Sequence, residues 1–203
     1  MNFDLITTAV KKAFDTFVEN IIAYIIGILI VFVGSIFIVT IAPLLYGLYY
    51  MVIKGTRGEK VEIKDVFYGF SSLSVIIRAW IGLIGFIIVP AIVGFIIGFI
   101  IGILTHISSV FAILSILIPI VSIIMALFLY FTLYIYVMTP SENIIYAIKE
   151  SISIGKANVI MVLLTMIIAS ICSIFMITYP LGMLFAAYML KELKPDIKDA
   201  SGI

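Results

Sequence analysis

His106 is the only histidine of this chain and Cys172 the only cysteine. Nucleophilic or acid–base chemistry would need one of them beside a serine or a carboxylate, as in a Ser–His pair. His106 falls in the short turn "THISS", and Ser35, Ser108 or another serine would have to be recruited, but no spacing points to that. One histidine cannot build a metal centre. Cys172, alone in an apolar run, reads as a small buried hydrophobe with no disulfide partner. The sequence holds no glycine-rich phosphate loop, and its long apolar runs contain no ionisable side chain of the kind that marks a proton or ion path. The chain is therefore expected to be neither an enzyme nor a holder of a metal or cofactor.

Two other residue sets carry information. "GFIIGFIIG" places Gly94, Gly98 and Gly102 four residues apart, and Gly82 and Pro90 fall on the same row. Small residues at this spacing let helix backbones approach closely, which in lipid is a main source of association. Gly82, Gly94, Gly98 and Gly102, a glycine zipper, are thus expected to be helix-packing positions. Pro43, Pro90, Pro119 and Pro180 all fall within apolar runs, where each frees a carbonyl and bends a helix. They are expected to be kinks.

The elements that must carry these residues follow from composition. Of 203 residues, 65% are hydrophobic and 11% charged, with a mean hydropathy of +1.36. About a quarter charged is usual for a soluble domain. No Asp, Glu, Lys or Arg occurs over Asn20–Ile53, Ala79–Ser141 or Ala157–Leu190. Each run exceeds the roughly 20 residues that cross a bilayer core, so the sequence predicts an all-α polytopic transmembrane bundle. A β-barrel would instead show short alternating segments. No cleavable signal peptide is evident. The net charge of +1, with acids interleaved among bases, points to no nucleic-acid partner.

The first and third runs are 34 residues each, about 51 Å as single helices against a core of about 30 Å. Charge decides between crossing once and folding back. The 12 basic residues fall in the N-terminal tail and in Lys54–Arg78, Lys149–Lys156 and Lys191–Lys198. If every uncharged run is a hairpin, all 12 share one side; if the outer runs cross once, seven oppose five. The positive-inside tendency favours hairpins. Six spans in three hairpins are expected, with both termini cytoplasmic in the cell membrane; four long kinked spans are the alternative. Turns are expected near Gly34–Ser35, Thr105–Ser109 and Ile177–Tyr179. The whole chain, 1–203, forms one membrane domain: 5–53 (amphipathic helix and first hairpin), 61–138 (interfacial segment and second hairpin) and 140–191 (amphipathic helix and third hairpin).

An internal repeat fits this plan. "AVKKAFDTFVENII" (Ala9–Ile22) aligns with "AIKESISIGKANVI" (Ala147–Ile160), and "PLLYGLYYMVIK" (Pro43–Lys54) with "PLGMLFAAYMLK" (Pro180–Lys191). Residues 5–21 form an amphipathic helix with Ile6, Ala9, Val10, Ala13, Phe14, Phe17, Val18 and Ile21 on one face. Such a helix lies in the membrane interface. The same is expected for 140–155, started by Thr139 as N-cap, Pro140 at the first helical position and Glu142 three residues after the cap. A third interfacial helix is expected through Arg78.

With these segments laid out, the chain resembles a group of uncharacterised bacterial and archaeal six-span integral membrane proteins, similar to the membrane domain attached to some glycerophosphodiester phosphodiesterases. The likeness rests on "FVGSI" (Phe32–Ile36), "PLLYGLYYMVIKGTRGEKVEIKDVFYGF" (Pro43–Phe70), "AIKESISIGKANV" (Ala147–Val159) and "AAYMLKEL" (Ala186–Leu193). The middle hairpin departs from the group by its length and its glycine stripe. The resemblance implies a fold and topology and brings no catalytic residue. The function expected is that of a non-enzymatic membrane scaffold or partner subunit contacting membrane lipids and a second copy or another membrane protein. A facilitative transporter or channel for a lipidic or small amphipathic molecule is the runner-up.

Overall fold

A computed structural model describes residues 3–197. Lys198 of the last basic segment and both chain termini lie outside the described residues. All regular elements among them are helical. They are α1 (Phe3–Glu19), α2 (Ile21–Gly34), α3 (Ile38–Thr56), α4 (Leu73–Ile107), α5 (Leu117–Leu129), α6 (Thr132–Met138), α7 (Ile144–Ala157), α8 (Val159–Cys172) and α9 (Tyr179–Leu193). Short 3-10 segments cover Ile63–Phe70, Ser109–Ile116 and Met176–Thr178. Three stretches are long and apolar enough to cross a membrane, Ile38–Thr56, Leu73–Ile107 and Ile113–Met138, or five if each bent pair α1–α2 and α7–α8 counts as one.

The amphipathic segments end at sharp elbows. The chain bends by 85° between α1 and α2 and by 107° between α7 and α8. An asparagine sits at each bend. Asn20 and Asn158 leave helical geometry and turn their side-chain amides back on the preceding helix, donating to the Thr16 and Ile154 carbonyls at 3.1 and 3.4 Å. Asparagine suits this because its short amide competes with the backbone ladder. On α1 the apolar residues split into two rows. Ala9, Ala13 and Phe17 are buried against the rest of the chain, whereas Val10, Phe14 and Val18 are exposed. One row therefore packs inward and the next faces outward, the division an interfacial helix requires.

The core is built on α3, which packs against both α6 and α9. Leu48, Met51 and Ile53 of α3, Ile135 and Met138 of α6, and Leu184, Phe185, Met189 and Leu190 of α9 are fully buried. Helix α9 is covered nearly all round, as expected of a central helix. The 3-10 segment Ile63–Phe70 packs on α3 through a reciprocal glycine contact. A methyl group on Gly47 would overlap the Val66 carbonyl, and one on Gly69 would overlap the Pro43 carbonyl. Tyr68 stacks on Tyr50 with ring centroids 3.8 Å apart along the same seam.

Several local expectations change. The helix expected from Thr139 begins at Ile144, capped by Asn143, whose side chain accepts from the Tyr146 amide at 2.9 Å. Thr139 is not its N-cap because its hydroxyl donates to the Ile135 carbonyl at 2.7 Å, closing the helix before it. No interfacial helix runs through Arg78. The 3-10 segment stops at Phe70, and Ser72 caps α4 by accepting from the Val75 amide, so Arg78 is already in the 35-residue helix. The third turn comes earlier than Ile177–Tyr179, at Ser173–Phe175, followed by the 3-10 segment. Pro43 and Pro90 lie inside helices, as placed. Pro119 and Pro180 instead stand in the first turns of α5 and α9. A proline there removes an amide that has no α-helical partner within the helix.

Candidate functional site: the polar collar and the exposed arm

The charged residues gather where α1, α7 and the ends of α3, α4 and α9 meet. Their centre is Arg78. Its Nη1 donates to the Glu142 carbonyl at 2.8 Å, and Nη2 to the Tyr136 and Thr139 carbonyls at 2.7 and 2.8 Å. Nε donates to the Tyr46 hydroxyl at 3.2 Å, and the guanidinium lies 4.0 Å above the Tyr136 ring. Tyr136 answers by donating its hydroxyl to the Arg78 carbonyl at 3.2 Å. The planar fork of arginine thus collects the carbonyls freed where α6 ends, while the ring holds its face. Four of the five guanidinium N–H donors are thus spent inside the fold.

Around it several other charges are also engaged. Lys54 of α3 meets the buried Asp65 at 2.8 Å, and the same carboxylate oxygen accepts the Glu62 amide at 2.8 Å. Lys191 of α9 donates to the Thr56 carbonyl at 3.1 Å, joining the ends of α9 and α3. Lys12 pairs with Glu192 at 3.0 Å and Thr16 bonds Tyr188 at 2.7 Å, fastening α1 to α9. Lys194 pairs with Glu150 of α7, and that bond raises the lysine pKa. On the exposed rim, the hydrogen bond from Lys64 holds the Glu62 carboxyl below its ordinary range. These contacts tie helices together and do not converge on a cavity. Among the described residues no group of three His, Cys, Asp or Glu could hold a metal ion.

His106 is exposed at the end of α4. Ser35 spends its hydroxyl on the Val31 carbonyl at 2.6 Å. Cys172 is partly buried at the end of α8 beside Gly182.

The glycine row divides. A methyl on Gly82 would come within 2.7 Å of the Tyr136 ring, so this position packs inside the chain. At Gly94, Gly98 and Gly102 it would meet nothing within 4 Å. These three lie on an arm made of α4 and the run Ile113–Met138. In the most apolar windows of the two, only 6% and 11% of residues are buried, against 56% for α3. Between α4 and α5 runs a cavity of about 170 Å³ lined by Phe86, Pro90, Gly94, Ser122 and Met125, among others. It is almost wholly apolar, since Ser122 gives its hydroxyl to the Ile118 carbonyl. Open grooves of about 570 and 530 Å³ flank the two elbows, at Val18–Ala23 and Lys156–Met161.

Sequence reasoning missed Arg78, Asn143 and the Gly47–Gly69 contact. For Arg78 one signal was available. It is the last cation before 63 uncharged residues, where a charge must find partners within the fold. Taken together, the fold and its polar cluster define an all-helical chain with several long apolar helices held at one end by a closed polar collar. Against known proteins, the chain matches no family model, no curated protein and no solved structure.

Proposed function

We propose that this chain is a non-enzymatic integral membrane protein acting as a scaffold or partner subunit, with its three hairpins inserted from the cytoplasmic side and both termini on that side. The observation that carries the reading is the α4–α5 arm. It is long enough to cross, almost uncovered by its own chain, and carries Gly98 and Gly102, where an added methyl would meet nothing within 4 Å. In lipid an apolar surface gains little from hiding, so association depends on close backbone packing, which small residues permit. The arm fits the helices of another membrane protein or of a second copy. The hydrogen-bonded collar supports a structural role, because its polar groups are spent on holding helices. The charge pattern requires only that each hairpin return to the face it left, so six crossings are the upper count. The likeness to six-span proteins supports a multi-pass architecture and adds no activity.

A photo-crosslinking residue at Phe99, 60% exposed on the arm, tests this in native membranes. The expected product is a protein adduct, with itself or another membrane protein, that disappears in Gly98→Leu. Adducts with lipid alone would contradict the proposal. A facilitative transporter of a lipidic or small amphipathic molecule is the second reading. It is favoured by the α4–α5 cavity, where Pro90 frees the Phe86 carbonyl.

A further inference from the structure

The first and third hairpins end in tips of the same build. Ser35-Ile-Phe37-x-x-Thr40 and Ser173-Ile-Phe175-x-x-Thr178 occur 138 residues apart, the offset that also relates Asn20 to Asn158. At the first tip Ile36, Phe37, Ile38 and Val39 are 66–76% exposed; at the third Ile174 and Phe175 are 70% and 71% exposed. Reversing the chain frees backbone carbonyls, which water would normally satisfy. Here backbone amides of the turns take most of them, those of Ser35, Phe37 and Thr40 at the first tip and of Ser173 and Thr178 at the third, and the tip hydroxyls add second hydrogen bonds to the same carbonyls. Ser35 donates to Val31 at 2.6 Å, and Thr40 to Phe37 at 2.7 Å and to Gly34. Ser173 donates to Ala169 at 2.7 Å, and Thr178 to Phe175 at 3.1 Å and to Cys172. Both tips therefore show large apolar side chains outward and spend these hydroxyls internally. Hydrocarbon imposes that arrangement and water does not.

Length points the same way. From Asn20 to Ser35, and from Asn158 to Ser173, a helix rises about 22 Å, against a hydrocarbon core of about 30 Å. The return arm of the third hairpin, from Tyr179 to Lys191, rises only about 18 Å, whereas α3, with 19 residues, rises about 28 Å, so length limits the first hairpin through α2 alone. Neither base can extend the reach, because the elbows bend by 85° and 107°. Lys54 and Lys191 are also drawn into the collar by Asp65 and the Thr56 carbonyl. The middle arm differs on both counts. Its α4 has 35 residues, about 52 Å, and its tip is the polar "THISS" with His106 exposed.

We infer that the first and third hairpins are re-entrant: they enter and leave on the collar side, with their tips held among lipid acyl chains, and only the α4–α5 arm crosses. This rests on the membrane reading proposed above. It keeps every described cation on one face and reduces the crossings to two. The protein then carries two matched apolar wedges beside one transmembrane arm.

The test uses the full chain with Cys172→Ala and single cysteines at Phe37, Phe175, His106 or Lys60, probed with a membrane-impermeant thiol reagent on intact cells and on inverted vesicles. His106→Cys is expected to react only from outside and Lys60→Cys only from the cytoplasmic side. Phe37→Cys and Phe175→Cys should react from neither side until detergent is added. A fluorophore attached at either tip and reconstituted should be quenched by lipids brominated on their acyl chains. Reaction at a tip from either side, or a tip fluorophore that acyl bromine leaves unquenched, would overturn the inference, as would an outer face at which His106→Cys is silent. Reaction of Lys60→Cys from outside would instead overturn the cytoplasmic orientation, so the two failures are separable.

Discussion

Replacing Arg78 by alanine is expected to destabilise the fold by roughly 2–4 kcal/mol, since charge-assisted hydrogen bonds contribute about 1.5–3 kcal/mol each when buried and less where water can replace them. Four acceptors lose their donor at once: the Tyr46 hydroxyl and the carbonyls of Tyr136, Thr139 and Glu142. They join α3, α4, α6 and the chain leading into α7, so the loss should loosen the collar as a unit and not fray one helix. Arg78→Lys separates charge from geometry. An ammonium keeps the cation but cannot reach this set of carbonyls as a planar fork while lying flat on Tyr136. Lysine should therefore recover less than half of the loss. Unfolding in mixed micelles with a denaturing detergent measures both variants. Arg78→Lys behaving as the parent chain would show that charge alone matters at this position.

Alanine at Gly47 or Gly69 is expected to cost about 3 kcal/mol or more, the upper part of the range for overpacking. The added methyl in each case overlaps a backbone carbonyl, of Val66 or of Pro43, which no rotamer change can move aside. The 3-10 segment must lift from α3, carrying Asp65 away from Lys54. Helix propensity predicts the opposite sign at Gly47, which lies inside α3, because alanine is favoured over glycine there by about 1 kcal/mol. Gly98→Ala supplies the comparison. With nothing within 4 Å of the new methyl, the monomer should be unchanged or gain up to about 1 kcal/mol from propensity. The same unfolding assay decides. Gly47→Ala as stable as Gly98→Ala would mean that the α3 seam is looser than its geometry indicates.

Coarse architecture was legible in the letters because it follows from charge spacing. The uncharged runs fixed which segments are helical and apolar, and the asparagines aligned in the repeat stand at the two elbows. The finer features depend on contacts that residue type does not announce. Arg78 reads carbonyls 58 to 64 residues away, and any residue supplies a carbonyl. Gly47 and Gly69 belong to no periodic pattern, yet they make the tightest backbone approach, whereas Gly94, Gly98 and Gly102 form a conspicuous stripe and touch nothing in the chain. A repeat spacing records that close approach is permitted and does not say by what. The Thr139–Pro140–Glu142 sequence has the form of a helix start, but its threonine was already committed to the helix before it. The prolines show the same dependence on position. Pro90 lies inside a helix, and Pro180 opens one.

The most direct measurement on the whole protein is the sidedness of its collar. Single cysteines at the exposed positions Lys11, Lys60, Lys149 and Asp196, in a Cys172→Ala background, sample each of the basic segments. Treated with an impermeant thiol reagent, all four are expected to stay unlabelled in intact cells and to react together after lysis. Labelling of some of them from outside while others remain shielded would contradict a single-faced collar, and with it the insertion of all three hairpins from one side.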